Sequence, residues 1–251
     1  MKQNWPKRIW MVRHGESAGN VARDAADLAG HARIEITQRD VDVPLSPLGQ
    51  QQSEALGAWF GALPEQPDVI VASPYIRALS TADTIARQLT AWPRLTVSTD
   101  ERLREKEFGI LDRLTRRGIE ELYPDQAEFR RILGKFYHRP PAGESWCDVI
   151  LRLRSMLDTI SLHYADRSVL IVAHQVVVLC MRYIIENLSE EQILEIDRQG
   201  DVSNCGVTEY MTEPDTGVGG GLVLTRYNFV APLVEAGAPV TAEKDANVAA
   251  R

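Results

Sequence analysis

Apolar residues are patterned in two ways along this chain. Residues 9–12, 68–72 and 168–173 are short, nearly continuous runs (Ile-Trp-Met-Val, Asp-Val-Ile-Val-Ala and Ser-Val-Leu-Ile-Val-Ala). Such runs predict strands buried on both faces of a parallel sheet, and residues 95–98 read as a further strand. Between them apolar positions recur every three or four residues. Leu48, Gln52, Ala55, Leu56 and Trp59 make one amphipathic helix, with Ser46 as N-cap and Pro47 at its first position. Ala78, Leu79, Ala82, Ile85, Ala86 and Leu89 make a second helix after Ser73-Pro74. Val149, Leu153, Met156, Leu157 and Ile160 make a third, and residues 176–185 form an apolar core helix. Residues 205–211 and 222–229 read as later strands. Strands alternating with helices predict an α/β fold.

Residues 21–40 are polar and alanine-rich, an excursion that is helical in part, and His31 within them reads as a solvated loop residue. Residues 101–131 are dense in both signs of charge and predict a solvated helical excursion over one end of the sheet. His138 and His163 read as surface residues, and Glu144 and Arg152 as structural. Residues 217–221 are no phosphate loop, since a strand follows them and a Lys-Ser/Thr pair is absent. From Pro232 onward the chain is rich in Ala, Pro and Glu, so residues 1–230 read as one domain and 231–251 as a poorly ordered tail.

Composition narrows the function. The 251 residues are 44% hydrophobic and 25% charged, enough for one large core. A net charge of -7 argues against a nucleic-acid or anionic-membrane surface. Any anion site is therefore a local arginine cluster. No run approaches the roughly 18 to 20 apolar residues of a membrane span. Three widely spaced cysteines, Cys147, Cys180 and Cys205, suit a reducing compartment. The expectation is a cytoplasmic protein whose partner is a small phosphorylated molecule, without nucleic acid or membrane, and with homodimer formation left open.

The candidate chemistry sits where strands end. Arg13 and His14 follow the first run, Arg77 lies just past the second in the first turn of a helix, and His174 follows the third. Open α/β sheets place their sites at such carboxyl ends. A guanidinium offers a planar fork of donors to an oxyanion, and a cation in a helix's first turn opposes the dipole unless an anion binds beside it. An imidazole held in line with a neutralised phosphoryl group is a competent nucleophile. A carboxylic acid opposite can protonate the leaving oxygen and then activate water, provided its pKa is raised. The arginines supply the positive charge, so neither a metal nor a cofactor is called for.

Six ordered motifs across residues 8–211 resemble the histidine phosphatase superfamily, which includes cofactor-dependent phosphoglycerate mutases and fructose-2,6-bisphosphatases. They are Arg13-His14-Gly15-Glu16-Ser17 with Asn20, Val43-Pro44-Leu45-Ser46 through Gly49, Ser73-Pro74 with Arg77 and Thr81-Ala82, Leu103-x-Glu105 with Gly109, Gly143-Glu144-Ser145, and His174. The resemblance implies a three-layer α/β/α sandwich with a mostly parallel central sheet. It implies His14 as the phosphorylated nucleophile, Arg13, Arg77, His174 and Asn20 as phosphate ligands, and Glu105 as proton donor. Ser17 and Gln175 join the expected substrate-binding set, and Thr37 and Gln38 are candidates for the rim.

Departures bear on substrate. Lys106-Glu107-Phe108 stands where the mutase branch carries basic and aromatic residues, and an anionic Glu107 would repel a carboxylated substrate. His174-Gln175 is similar to the bisphosphatase branch, yet Leu179 stands where that branch has an arginine, and Arg130 and Lys135 fall only near its sugar-phosphate positions. Extra residues between Asn20 and Asp42 are expected to reshape the rim. The expected activity is metal-independent phosphomonoester hydrolysis through a phosphohistidine on His14. Its alternatives are a phosphoglycerate-type mutase and a non-catalytic phospho-ligand binding protein.

Overall fold

The computed structural model describes residues 4–90, 95–213 and 221–242. Six strands form one sheet: β1 (Arg8–Arg13), β2 (Val69–Ala72), β3 (Val97–Thr99), β4 (Ser168–Ala173), β5 (Val207–Thr212) and β6 (Leu222–Phe229). Their order is β3-β2-β4-β1-β5-β6. The first four run parallel, and β5 is antiparallel to both β1 and β6. The continuous apolar runs became strands because both of their faces are covered. Ile9 and Met11 of β1 pack with Val169 and Ile171 on one side, under α6 (Trp146–His163) and α7 (Gln175–Ile185). Trp10 and Val12 pack with Ile70, Leu170 and Val172 on the other, under α2 (Pro47–Ala62) and α3 (Ile76–Gln88). The period-two alternation of strand side chains thus feeds two cores at once. Three layers result, as expected.

The parallel register positions the site. Arg13 stands opposite Ala173 and Ala72 opposite Val172, so β1, β2 and β4 end side by side. The backbone N–H of His14 donates to the Ala173 carbonyl at 3.0 Å, and that of Ser73 to Val172 at 2.9 Å.

Residues 18–28 form helix α1 (Ala18–Leu28), capped by Ser17, and His31 is exposed as read. The charged excursion holds α4 (Arg116–Leu122) and α5 (Pro124–Tyr137) after two 3-10 turns. Helix α8 (Glu190–Gln199) has no counterpart in the sequence reading, because only Ile193 and Asp197 of it are buried. Asp197 is buried against Lys135 Nζ, 2.8 Å away, so a charge occupies a core-facing position.

The end of the chain corrects another expectation. The tail read as frayed from Pro232 instead forms α9 (Ala231–Glu235), whose Leu233 is fully buried with Phe60 and Leu56. The Gln52 amide then donates to the Pro239 carbonyl and the Thr241 hydroxyl, both at 2.9 Å. Residues 243–251 and the glycine-rich connection 214–220 lie outside the described residues.

Candidate active site

The turn after β1 is locked against the start of α2. The Ser46 hydroxyl donates to Glu16 Oε1 at 2.6 Å, and the Glu16 N–H donates to Gln52 Oε1 at 2.8 Å. Gly49 is required by proximity, since a Cβ there would lie 1.9 Å from the Glu16 carbonyl oxygen. The Gly15 N–H donates to the Thr81 hydroxyl at 3.1 Å, joining the same turn to α3. The His14 side chain is therefore presented from a rigid backbone. Its Nδ1 lies 2.7 Å from the Gly15 carbonyl, which can only accept, so Nδ1 carries the proton and Nε2 presents a lone pair. Nε2 accepts from Arg77 Nε at 3.2 Å. Burial, then the charges of Arg77 and Arg13, hold the His14 pKa well below 6.5, outweighing the carbonyl bond that raises it. A neutral imidazole, its Nε2 lone pair held by the Arg77 N–H, is the form a nucleophile needs.

Arg13 is 1% exposed and donates through Nη1 to Gln175 Oε1 at 3.0 Å and to the Val202 carbonyl. The Gln175 amide donates in turn to Asp201 at 2.8 Å, so Gln175 orients Arg13 as well as lining the cleft. His174 is fully buried, with Nε2 at 2.8 Å from the Ser73 hydroxyl and its ring 5.1 Å from that of His14. Its Nδ1 has no hydrogen-bond partner and lies 3.9 Å from Glu105 Oε2. Burial chiefly, with Arg77 next, keeps it neutral. Glu105 is pushed up to about 7 by burial, against the bond from the Lys106 N–H and the charges of Arg77 and Arg13. Three of its neighbours are thus the proposed phosphate ligands.

Glu144 and Arg152 hold the Glu105 segment, as the structural reading expected. Arg152 donates to both Glu144 oxygens at 2.9 and 3.0 Å, to the Glu105 carbonyl at 3.2 Å, and to the Arg102 carbonyl. Arg104 adds a 2.8 Å bond to Glu144, and the Glu107 N–H another at 3.1 Å. Gly109 ends the segment at φ +56, where a Cβ would stand 2.1 Å from the Pro141 carbonyl oxygen.

His14, Arg77, Glu105 and Gln175 open into one cleft, with Arg13 and His174 buried behind its lining. Ser17 and Asn20 line it, and they also form the capping box of α1, with the Asn20 N–H on Ser17 Oγ at 3.1 Å and the Ser17 N–H on Asn20 Oδ1 at 2.9 Å. From the segment between Asn20 and Asp42, Ile34, Ile36, Gln38 and Asp40 form a wall of the cleft. That wall is pinned by Ile34 N–H to the Arg113 carbonyl at 2.9 Å and by Arg113 to the Gln38 carbonyl at 2.8 Å. Thr37 is exposed and outside the cleft lining. A basic annex shares Arg23, Phe108, Asp112 and Arg113 with the cleft and continues to Lys106, Arg116, Arg130 and His138. Among the described residues no His/Cys/Asp/Glu cluster suits a metal ion.

Four readings change. His138 is 4% exposed, held down to about 4 by burial and then by Arg130 and Lys106, so it is a buried neutral residue of the annex. Glu107 is not among the residues lining the cleft; it accepts from the Tyr75 hydroxyl at 3.1 Å. Lys135 is turned to Asp197, whereas Arg130 does reach the annex. Asp40, Asp112, Arg23 and Arg113 are cleft residues that the sequence did not single out, because loop pairing rather than any motif brings them together.

The sheet topology, with paired histidines and two buried arginines at its strand ends, is that of a histidine phosphatase fold. The chain belongs to the histidine phosphatase superfamily, branch 1, whose family model matches residues 9–219. It is 33% identical over 162 residues to phosphoglycerate mutase-like protein AT74 of Arabidopsis thaliana, covering 62% of this chain and 46% of that one. It is 31% identical over 177 residues to a 6-phosphofructo-2-kinase/fructose-2,6-bisphosphatase of Caenorhabditis elegans, covering 70% and 33%. The match thus spans less than half the length of either relative. A mycobacterial glucosyl-3-phosphoglycerate phosphatase in complex with VO3 superposes with a TM-score of 0.66 at 25% identity, covering 88% of this chain and 99% of that one. Among the described residues no helix is long and apolar enough to cross a membrane.

Proposed function

We propose that this chain is a phosphomonoesterase acting on a small phosphorylated metabolite through a phosphohistidine on His14. The observation that carries the reading is the pairing of an unprotonated His14 Nε2 with Arg77 at 3.2 Å and a carboxyl held near 7 in the same cleft. In the first half-reaction His14 Nε2 attacks phosphorus in line, the P–O ester bond breaks, and Glu105 gives its proton to the leaving oxygen. In the second, the Glu105 carboxylate takes a proton from water, the oxygen attacks phosphorus, and the P–N bond breaks to release phosphate. Arg13, Arg77 and His174 bind the equatorial oxygens and stabilise charge there. Asn20, Ser17 and Gln175 complete the substrate pocket. The basic annex suits a leaving group that carries further negative charge.

Phosphate release from a panel of sugar phosphates, phosphoglycerate esters and bisphosphates, in chelator, with wild type and His14→Ala side by side, tests this. Selective release by wild type and none by the folded variant is expected. Near-normal hydrolysis by His14→Ala overturns the mechanism. No release from any member, with bisphosphate-dependent isomerisation in its place, establishes a mutase; binding without turnover in either assay establishes a phospho-ligand binding protein.

A further inference from the structure

We propose that Asp40 is a positioning residue for phosphoryl transfer: it grips the outer edge of the Arg77 guanidinium and so turns the inner edge toward the phosphoryl position beside His14. The inference rests on the reading of His14 as phosphoryl acceptor and extends it to a residue of the cleft wall.

The donors of Arg77 can be accounted for one by one. A guanidinium carries five N–H groups in a fixed plane. Nη1 lies 3.0 Å from Asp40 Oδ1 and donates to the Asp40 backbone carbonyl at 2.6 Å. Nη2 donates to Asp40 Oδ2 at 3.3 Å. The two carboxylate oxygens thus meet the outer Nη1/Nη2 edge as a fork, and the carbonyl takes the second hydrogen of Nη1. Nε donates to His14 Nε2 at 3.2 Å. The N–H pair of the inner edge, one on Nε and one on Nη2, is thereby aimed at the nucleophile. The Tyr75 ring, 4.8 Å from the guanidinium carbon, covers its face and fixes the plane.

The arrangement also answers a problem in the sequence. Arg77 is 5% exposed in the first turn of α3, where the helix dipole disfavours a cation. Asp40 supplies a resident counter-charge without occupying the inner edge. The neighbouring Asp42 is taken by Arg39 at 2.7 Å, which leaves Asp40 as the carboxylate of this turn that reaches the cleft. Asp40 further acts on the acid. Around Glu105 stand Arg77 from α3, Arg13 from β1, His174 after β4 and Asp40 from the wall, while Arg152 of α6 holds its backbone carbonyl. Of these, the Asp40 charge favours the protonated carboxyl.

The test compares Asp40→Ala, Asp40→Asn and His14→Ala with wild type in turnover, in vanadate binding by calorimetry and in the pH dependence of kcat/KM. Misplacing a reacting group by about 1 Å costs on the order of 100-fold, so Asp40→Ala should lose about tenfold or more in kcat and in vanadate affinity, with KM nearly unchanged. Asp40→Asn keeps one acceptor for Nη1 and should restore much of kcat, while the basic limb moves to lower pH because a negative charge near Glu105 is gone. Wild-type kcat, vanadate affinity and basic limb in both variants overturn the proposal. Tighter binding of inorganic phosphate by Asp40→Ala with undiminished kcat also overturns it, since Asp40 would then be a competitor for Arg77. Activity retained by His14→Ala refutes the phosphohistidine reading instead, and vanadate binding still reports on Arg77 if the chain turns nothing over.

Discussion

Glu105 is the residue on which the proposed chemistry turns, and burial sets its behaviour. A carboxyl pushed up to about 7 must be protonated to serve as acid, so kcat/KM for alkyl phosphates should fall as pH rises past about 7. His14 is held well below 6.5, so it stays neutral in mild acid and the acid limb should lie below the ordinary imidazole range. A pH profile on one slow substrate measures both limbs; a basic limb near 9 would remove Glu105 from the role. Glu105→Gln should slow alkyl phosphates by about 100-fold or more, within the range for general acid catalysis, and nitrophenyl phosphate far less, because only the alkoxide needs the proton. Equal losses would move the acid elsewhere. The strand-end residues Arg13, His14, Arg77 and His174 were legible in the sequence, since a buried apolar run makes its own end visible. Asp40 was not, for its partner lies 37 positions away, beyond α2 and β2.

At the scale of elements, the loop that carries Glu105 has little regular structure and is held by α6. Arg152 and Glu144 are 10% and 12% exposed, and Arg152 reaches two carbonyls of the loop besides. Removing one member of such a pair leaves a charge without its partner. Arg152→Ala should cost about 3 kcal/mol, in the range for broken buried pairs, and should reduce kcat through displacement of Glu105. Urea unfolding and turnover on the same sample check both effects. A stability loss with unchanged kcat would show that the loop keeps its place without α6. The motif Gly143-Glu144-Ser145 was readable, and its structural role was expected. The reach of Glu144 to residues 104 and 107 was set by tertiary packing.

Over the whole molecule, residues 231–242 return to the site. The Thr241 hydroxyl donates to Asn204 Oδ1 at 3.0 Å, and the Asn204 amide donates to the His14 carbonyl at 3.1 Å. Gln52, which bonds both Pro239 and Thr241, also accepts from the Glu16 N–H. Residues 239–241 therefore support the turn that presents His14. Leu233→Ala empties a fully buried position against α2 and should cost about 2–4 kcal/mol, as for other buried leucine truncations, in urea unfolding. A loss under about 0.5 kcal/mol, the level of an ordinary surface change, would show that α9 is peripheral. An Ala-, Pro- and Glu-rich composition reads as frayed because it offers few apolar residues, and one leucine in the right place suffices to dock a short helix.

The sequence by itself determined the α/β class, the buried strands, the helix cap at Ser46 and the four basic strand-end residues. Each depends on neighbours within a few positions, through periodicity, turn chemistry and burial. Tertiary structure alone decided what stands against those residues: Asp40 on Arg77, the wall of residues 34–40 paired with Arg113, the buried His138 and the docked C-terminal segment. Those outcomes depend on which loops meet, and a local pattern carries no record of a partner distant in sequence.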